Sequence, residues 1–174
     1  RSRMPKSFSL EERLAGCARA VESQPGSWAG SWRRWASQEE SFAERAFREK
    51  PYERVCLDLG CGKGEYTVAC AKANPDVLFI GLDTEGVSNA VFVFEENPDL
   101  DLSTMFAPGE LDAILLNFST PFPKKKKAPL RLTYVDRLMA YRAVLAEGGM
   151  VRLRTDSQPL RDFSLTQLEL AGYE

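Results

Sequence analysis

Three glycines at two-residue spacing stand where a short apolar run gives way to a helical pattern. The stretch LDLGCGKGEY contains Asp58, Gly60, Gly62 and Gly64 as D-x-G-x-G-x-G, and the glycines come directly after the run VCLDL. Glycine has no Cβ, so its backbone can turn sharply and a ligand can approach the main chain closely. The pattern predicts a ligand-binding turn at the carboxyl end of a strand, with Cys61 inside it.

Acidic residues around this turn indicate which class of ligand it could bind. A dinucleotide fingerprint would have its third glycine at the position of Glu65, where a pyrophosphate would meet a carboxylate. Asp83 ends the next apolar run, VLFIGLD, where an acid can accept hydrogen bonds from ribose hydroxyls. A ligand with an amino group and a sulfonium suits these acids, so we expect S-adenosylmethionine; a glycine turn without a ligand is the alternative. The residues expected to bind the cofactor are Asp58, Gly60, Cys61, Gly62, Gly64, Asp83, Thr84 and Asn117.

A second stretch, LNFSTPFPKKKKAPLRLTY, joins an apolar run to a proline turn and four lysines. The run LDAILLNF fits the fourth strand of the sheet, and parallel strands share one ligand-binding crevice at their carboxyl ends. Residues 117–123, which include Asn117, would therefore lie at that crevice.

The lysine run has two interpretations. Runs of like charge are usually solvated loops that need no partner. This run follows the crevice turn, and other basic residues accompany it, so we favour contacts with the phosphates of folded RNA, which give affinity without reading sequence. The residues expected to contact RNA are Arg1, Arg3, Lys6, Lys124, Lys125, Lys126, Lys127 and Arg131.

Short apolar runs alternate with helical patterns from Arg54 onward. The runs are VCLDL, VLFIGLD, VFVF, LDAILLNF and MVRLRTD, and helices are predicted through Ala73, over about 133–145 and over about 159–171. This alternation predicts an α/β fold with a doubly wound, mostly parallel sheet. We divide the chain into a helical arm over 1–50, packed on the core, and a catalytic domain over 51–174.

The arm has its own pattern. Ser9 and Glu12 form a capping box at the start of a helix that is predicted to reach Val21. Tryptophans 28, 32 and 35 then follow at helical spacing, and we expect them to pack on the body of the protein rather than to stack on bases.

One connection is too short for the predicted topology. Only residues 84–90 separate the strand that ends at Asp83 from the one that begins near Val91. A parallel crossover takes about a dozen residues or more. Either these strands are not parallel neighbours, or residues are missing from the sequence at this point. We favour missing residues, because GVSNA has the character of a helix that has just begun.

Composition excludes several classes of function. The chain has 174 residues, enough for one well-filled core, and a net charge of only −2, so it is not a generally basic nucleic-acid binder. It contains no histidine, which excludes imidazole catalysis and histidine-ligated metals, and we expect no metal. The four cysteines lack zinc-like spacing, and no apolar run could span a membrane. We expect a soluble, cytoplasmic protein with reduced thiols.

The order of these motifs resembles the bacterial tRNA (guanine-N7)-methyltransferase family. The similarity covers the amino-terminal R-x-R with Lys6, the glycine turn, NPDVLFIGLD, PGELDAILLNF, RLTY and RTDSQPLRDFSL. It implies a Rossmann-like class I methyltransferase fold, S-adenosylmethionine as cofactor, and methylation of guanine N7 in the variable loop of tRNA. It also implies that Asn117, Thr120, Thr155 and Asp156 form the catalytic site.

The chain departs from the family at several of these positions. Thr120 stands where the family has an aspartate regarded as catalytic, and Phe122 replaces a tryptophan. The sequence stops at Glu174, before the family's Thr-x-x-Glu motif, so we expect the sheet to lack its final strands. Further replacements fall at Lys126, Lys127, Pro129 and Leu130. These differences leave two alternatives open, a relative that binds cofactor or RNA without transferring a methyl group, and a methyltransferase retargeted to a small molecule.

Overall fold

The computed structural model describes residues 22–38, 44–62, 64–83, 91–94 and 101–174. The helix predicted over residues 9–21 lies outside the described residues, as do Arg1, Arg3, Lys6 and Thr84. The side chain of Asp83 also lies outside this description, although its backbone ends a strand.

Five strands form one sheet in the order β3-β2-β1-β4-β5, and every pair of neighbours is parallel. The strands are β1 (Arg54–Leu59), β2 (Val77–Asp83), β3 (Val91–Phe94), β4 (Leu111–Asn117) and β5 (Leu145–Arg154). The chain winds from β1 to β3 in one direction and then resumes on the other side of β1. This is the doubly wound arrangement, and it places a topological switch point between β1 and β4. The predicted α/β fold class is confirmed.

Three α-helices accompany the sheet, α1 (Glu65–Ala73), α2 (Val135–Val144) and α3 (Gln158–Leu170). Each lies within two residues of its predicted bounds. In the described part of the chain, none of these helices is long and apolar enough to cross a membrane. Short 3-10 turns occur at Pro25–Trp28, Trp32–Arg34, Leu102–Thr104 and Lys125–Leu130.

β5 begins five residues before the predicted MVRLRTD run. Leu145 pairs with Leu111, whereas Met150 pairs with Ala113, so the ladder is irregular between these two points. The intervening AEGG segment contains Gly148 at φ 74°, a backbone conformation that favours glycine. Such a bulge carries no apolar alternation, which is why the hydrophobic pattern alone does not reveal it.

β2 and β3 are parallel neighbours, with Ile80 opposite Val91 and Asp83 opposite Phe94. One of the two explanations for the short connection, that these strands are not neighbours, is therefore wrong. The other explanation, that residues are missing between β2 and β3, stays a prediction.

The two faces of the sheet pack against different partners. One face contributes Val55 and Leu57 to a large cluster that also includes Trp28 and Trp32, both 0% exposed. The other face packs against α1 through a smaller cluster that contains Cys56 and Phe79 among others. The predicted role of the tryptophans in packing is confirmed for Trp28 and Trp32, which belong to the same core as the sheet.

The carboxylate of Glu110 helps to hold the tryptophan segment on the sheet. Glu110, just before β4, accepts hydrogen bonds from the backbone N–H groups of Gly30 (2.8 Å), Trp32 (3.0 Å) and Ala107 (2.8 Å). Trp32 also donates its indole N–H to the carbonyl of Met105 at 2.7 Å. These bonds satisfy backbone donors that would otherwise be left unpaired next to a buried indole.

Candidate active site

The glycine turn joins β1 to α1 in a conformation that requires glycine. Gly60, Gly62 and Gly64 have φ angles of 76°, 58° and 76°, which side-chain-bearing residues rarely adopt. The N–H groups of Gly60 and Cys61 both donate to the carbonyl of Leu82, at 2.7 and 3.3 Å. The turn is thereby fixed against the end of β2, one residue before Asp83.

Asp58 is the buried acid of the site. Its residue is 1% exposed, and Thr67 of α1 donates its hydroxyl to Oδ2 at 2.7 Å. Asn117, the last residue of β4, donates its amide Nδ2 to Oδ1 at 3.4 Å. A buried carboxyl group is costly unless it is hydrogen-bonded. These bonds therefore stabilise Asp58 and connect the carboxyl ends of β1 and β4 at the switch point.

Asn117 has a second polar atom that lacks a partner. Its Oδ1 is buried and accepts no hydrogen bond from the described residues. A buried acceptor in this state costs about 1–3 kcal/mol, so it is a place where a ligand N–H group would stabilise the protein. The open glycine backbone and this acceptor together fit a cofactor that carries amino groups. Asp58, Gly60, Gly62 and Asn117 are the residues that could hold it.

The turn after β4 contains two residues with unusual backbone angles. Phe118 and Phe122 have φ angles of 52° and 42°, where glycine is normally found. The N–H of Phe118 donates to the carbonyl of Arg154 at 2.8 Å, which extends the β4–β5 ladder by one bond. Strained backbone of this kind is concentrated at functional sites.

Arg131 holds the far end of this turn. Its Nε donates to the carbonyl of Pro121 at 3.0 Å, and its Nη2 donates to the carbonyl of Phe122 at 2.9 Å. Its guanidinium also lies 4.3 Å from the ring centroid of Phe163 in α3. The side chain therefore clamps the turn onto α3. Contact of Arg131 with RNA stays a prediction, although much of its hydrogen-bonding capacity is already used within the protein.

Among the described residues, no hydrogen bond joins the other predicted catalytic residues, Thr120, Thr155 and Asp156, to one another. Thr120 is exposed in the turn after β4, and Asp156 is exposed in the turn after β5. Thr155 is half-buried, and its hydroxyl oxygen accepts a hydrogen bond from the N–H of Ser157 at 3.1 Å. The structure brings Asn117 and Asp58 together directly. Sequence reasoning missed Thr67, whose position nine residues after Asp58 gave no separate signal.

The four lysines form an exposed edge on the segment that follows β4. Lys124 to Lys127 are all exposed, and the last three belong to the 3-10 turn Lys125–Leu130. Among the described residues, ion pairs join only Arg33 to Asp112 and Lys50 to Asp76. The lysine charges are therefore not neutralised by described carboxylates, and they remain available to an anionic partner.

Two groups near α1 are unsuited to proton transfer at neutral pH. Burial, assisted by the nearby Asp112, raises the pKa of the Cys56 thiol to about 11. A hydrogen bond with Cys70, together with burial, raises the pKa of Tyr66, while Arg154 opposes this change. Both side chains stay protonated at neutral pH. In the described part of the chain, Cys56 and Cys70 have free thiols.

Several solved structures of methyltransferases resemble this chain. The aminoglycoside resistance methyltransferase NpmB1 is 25% identical, with 71% of this chain and 66% of NpmB1 aligned and a TM-score of 0.47. The antibiotic-resistance methyltransferase Kmr is 22% identical, with 71% and 79% aligned and a TM-score of 0.47. The 16S rRNA (adenine(1408)-N(1))-methyltransferase of Catenulisporales acidiphilia is 21% identical, with 54% and 48% aligned and a TM-score of 0.39. The chain spans slightly less than two thirds of NpmB1.

A protein-family model matches residues 52–173, which is most of the chain. The matched range contains the glycine turn, the Asp58–Asn117 pair, the turn after β4 and all of α3. The chain belongs to the family described as "Putative methyltransferase".

Proposed function

We propose that this chain is an S-adenosylmethionine-dependent RNA methyltransferase that methylates guanine N7 in the variable loop of tRNA. The observation that carries the proposal is the buried, unpartnered Oδ1 of Asn117, which lies at the switch point beside the glycine turn. Family membership supports methyl transfer, and the exposed lysines support an RNA substrate. The guanine and the tRNA rest on the motif resemblance described above.

The proposed reaction needs little acid–base catalysis from the protein. S-adenosylmethionine, when bound, supplies an electrophilic methyl group on its sulfonium. Guanine N7 carries a free lone pair and loses no proton on methylation, so no general base is needed. The protein contributes by orienting the two reactants in line and by stabilising the positive charge that develops on the purine.

Each site residue then has a positional role. Asp58 orients the Asn117 amide, and Asn117 Oδ1 accepts a hydrogen bond from an N–H group of cofactor or base. Thr120 can make one hydrogen bond to the guanine edge but brings no charge. The methyl transfer of this chain is therefore slower than that of a relative with an aspartate at this position.

Thr120 is also the observation that favours a second candidate. A relative that binds cofactor and RNA but transfers no methyl group would have no need of a charge at this position. A methyltransferase retargeted to a small molecule would keep the glycine turn but would have no use for the exposed lysines.

The test is methylation of tRNA by the full chain. Two tRNA transcripts made without modifications serve as substrates, one with guanine in the variable loop and one with adenine there. Mass spectrometry of the digested nucleosides should find N7-methylguanosine only with the first. If both cofactor and tRNA bind and no methylated nucleoside forms at any enzyme concentration, the non-catalytic candidate replaces our proposal.

A further inference from the structure

A groove lies between the carboxyl ends of β4 and β5 and helix α3. Its volume is about 560 Å³, within the range of small-molecule sites in proteins. Its lining residues are Phe118, Leu153, Arg154, Thr155, Arg161, Ser164, Leu165 and Leu168. The lining combines an aromatic ring, apolar side chains and a few polar groups, and contains no carboxylate.

Phe118 presents its ring to this groove from a strained backbone. It is 67% exposed, although its backbone N–H is fixed by the bond to Arg154 and its φ is 52°. Exposure of so large an apolar side chain at a conformation that favours glycine has no benefit for folding. An aromatic face held open beside a crevice is suited to stacking against a planar ligand, and nucleobases stack on such faces regardless of sequence.

The polar groups of the groove favour an anion next to that planar group. Arg161, in the first turn of α3, is exposed and forms no ion pair with the described residues. The hydroxyl oxygen of Thr155 accepts from Ser157, which leaves its hydrogen free to be donated. Arg154 contributes less, because its guanidinium lies over the ring of Tyr66 at 5.5 Å. A guanidinium and a hydroxyl donor together form a typical phosphate-binding pair.

We propose that this groove binds one nucleotide of single-stranded RNA, with the base stacked on Phe118 and the phosphate bound by Arg161 and Thr155. The inference rests on the RNA part of the proposed function and adds contacts outside the lysine edge. A protein segment laid on Leu165 and Leu168 would be the competing occupant. It would leave Arg161 without a counter-charge, and this charge pattern favours the nucleotide.

Binding of the base and binding of the phosphate can be tested separately. Guanosine 5′-monophosphate, guanosine and ribose 5-phosphate are titrated into the full chain by calorimetry, together with a single-stranded RNA pentamer. We expect the nucleotide to bind more tightly than either half, and the pentamer to bind at least as tightly as the nucleotide. Equal affinity for nucleotide and ribose 5-phosphate would overturn the stacking contact. Binding of the nucleotide without the pentamer would overturn the RNA assignment.

Variants then assign each contact to its residue. Phe118→Ala should weaken nucleotide binding about tenfold or more, because the base loses the ring on which it stacks. Phe118→Tyr keeps the ring and should retain affinity. Arg161→Gln should weaken nucleotide and ribose 5-phosphate binding by a similar factor and leave guanosine unchanged. Phe47→Ala is the matched control, since Phe47 is 46% exposed but packs on Trp28.

Binding of S-adenosylhomocysteine to the same variants separates this inference from the proposed function. Its affinity should be unchanged in Phe118→Ala and Arg161→Gln protein. If the wild-type chain binds the nucleotide but not S-adenosylhomocysteine, the proposed function fails and the groove stands. If the nucleotide does not bind at millimolar concentration, the inference is overturned. Dimers that Leu165→Glu dissolves would then assign the groove to a second copy of the chain.

Discussion

The Asp58–Asn117 pair shows how single residues define the crevice. The sequence predicts Asp58 as a site residue because it stands just before the glycine turn. It predicts Asn117 because this residue ends an apolar strand. Their hydrogen bond arises because β1 and β4 are neighbours, with Asp58 opposite Leu115 and Asn117 two residues further on. The pair uses the Asn117 amide nitrogen inside the protein and leaves the buried Oδ1 without a partner among the described residues, and we propose that a ligand donor fills this place.

Thr120 gives the sharpest test at this scale. Thr120→Asp should raise the rate of methyl transfer to guanine N7 by roughly a hundredfold, because a charged group aimed at developing positive charge contributes a few kcal/mol in the transition state. Thr120 is exposed, so the change should not disturb folding. The measurement is the single-turnover rate of N7-methylguanosine formation with saturating tRNA.

Thr120→Asn is the matched control, because it has nearly the same shape as aspartate but no charge. It should leave the rate within a few-fold of the wild-type value. If aspartate and asparagine raise the rate equally, hydrogen bonding rather than charge is the missing contribution. A rate that stays at background in Thr120→Asp protein with cofactor and tRNA bound would contradict our account of this position.

At the scale of elements, we predict that the cofactor approaches the backbone of the glycine turn closely. Gly62→Val should abolish binding of S-adenosylmethionine and of its demethylated product, because the side chain would occupy the space between turn and ligand. Calorimetric titration measures the loss of affinity. Since Gly62 has φ 58°, the variant also carries backbone strain, on the order of 1–2 kcal/mol.

Gly148→Val separates strain from steric exclusion. Gly148 has φ 74°, but a Cβ there would meet nothing within 4 Å. This variant should lose stability to a similar degree and still bind the cofactor with wild-type affinity. Unchanged cofactor affinity in Gly62→Val protein would remove the glycine turn from the binding site.

The lysine turn predicts a salt dependence. Replacing Lys124, Lys125, Lys126 and Lys127 by alanine should flatten the slope of log affinity for tRNA against log salt by about 0.7–0.9 for each phosphate that the lysines neutralise in the wild type. Replacing the same four residues by arginine keeps the charge and should keep the slope. Fluorescence anisotropy with labelled tRNA across a salt series measures both. An unchanged slope in the alanine variant would mean that the run is a solvated turn without a partner.

The sequence predicts an element correctly where its local hydrophobic pattern and turn residues agree. It fails where contacts with residues distant in sequence determine the conformation. The runs that form β1, β2 and β4 are apolar and bounded by turn residues, so their positions are readable from the pattern. The start of β5 cannot be predicted in this way, because the bulge within it interrupts the alternation of apolar and polar residues. The positive φ of Phe118 is equally invisible, because phenylalanine disfavours that conformation and only the surrounding structure imposes it.

At the scale of the whole molecule, the division at residue 50 is the least predictable feature. The sequence favours an arm packed on a domain, and the division into 1–50 and 51–174 stays a proposal. Trp28 and Trp32 are completely buried in the cluster that contains Val55 and Leu57. The hydrogen bond from the N–H of Gly30 to the Glu110 carboxylate joins residues 80 apart in sequence. No local sequence pattern predicts such a contact. Shared burial of this kind favours a single cooperative unit.

Glu110→Gln tests whether the arm and the sheet unfold together. The substitution places an amide NH₂ where a carboxylate oxygen accepts backbone N–H bonds, so we expect a loss of about 2 kcal/mol in the free energy of unfolding. All 3 tryptophans lie between residues 28 and 35, so their fluorescence reports on the arm, while far-ultraviolet circular dichroism reports on the helices and sheet. In urea both signals should shift together to a lower midpoint in the variant, whereas Glu49→Gln, at an exposed position, should match the wild type. A fluorescence transition that precedes the dichroism transition would mean that the arm unfolds on its own, and the division at residue 50 would then describe two units of stability.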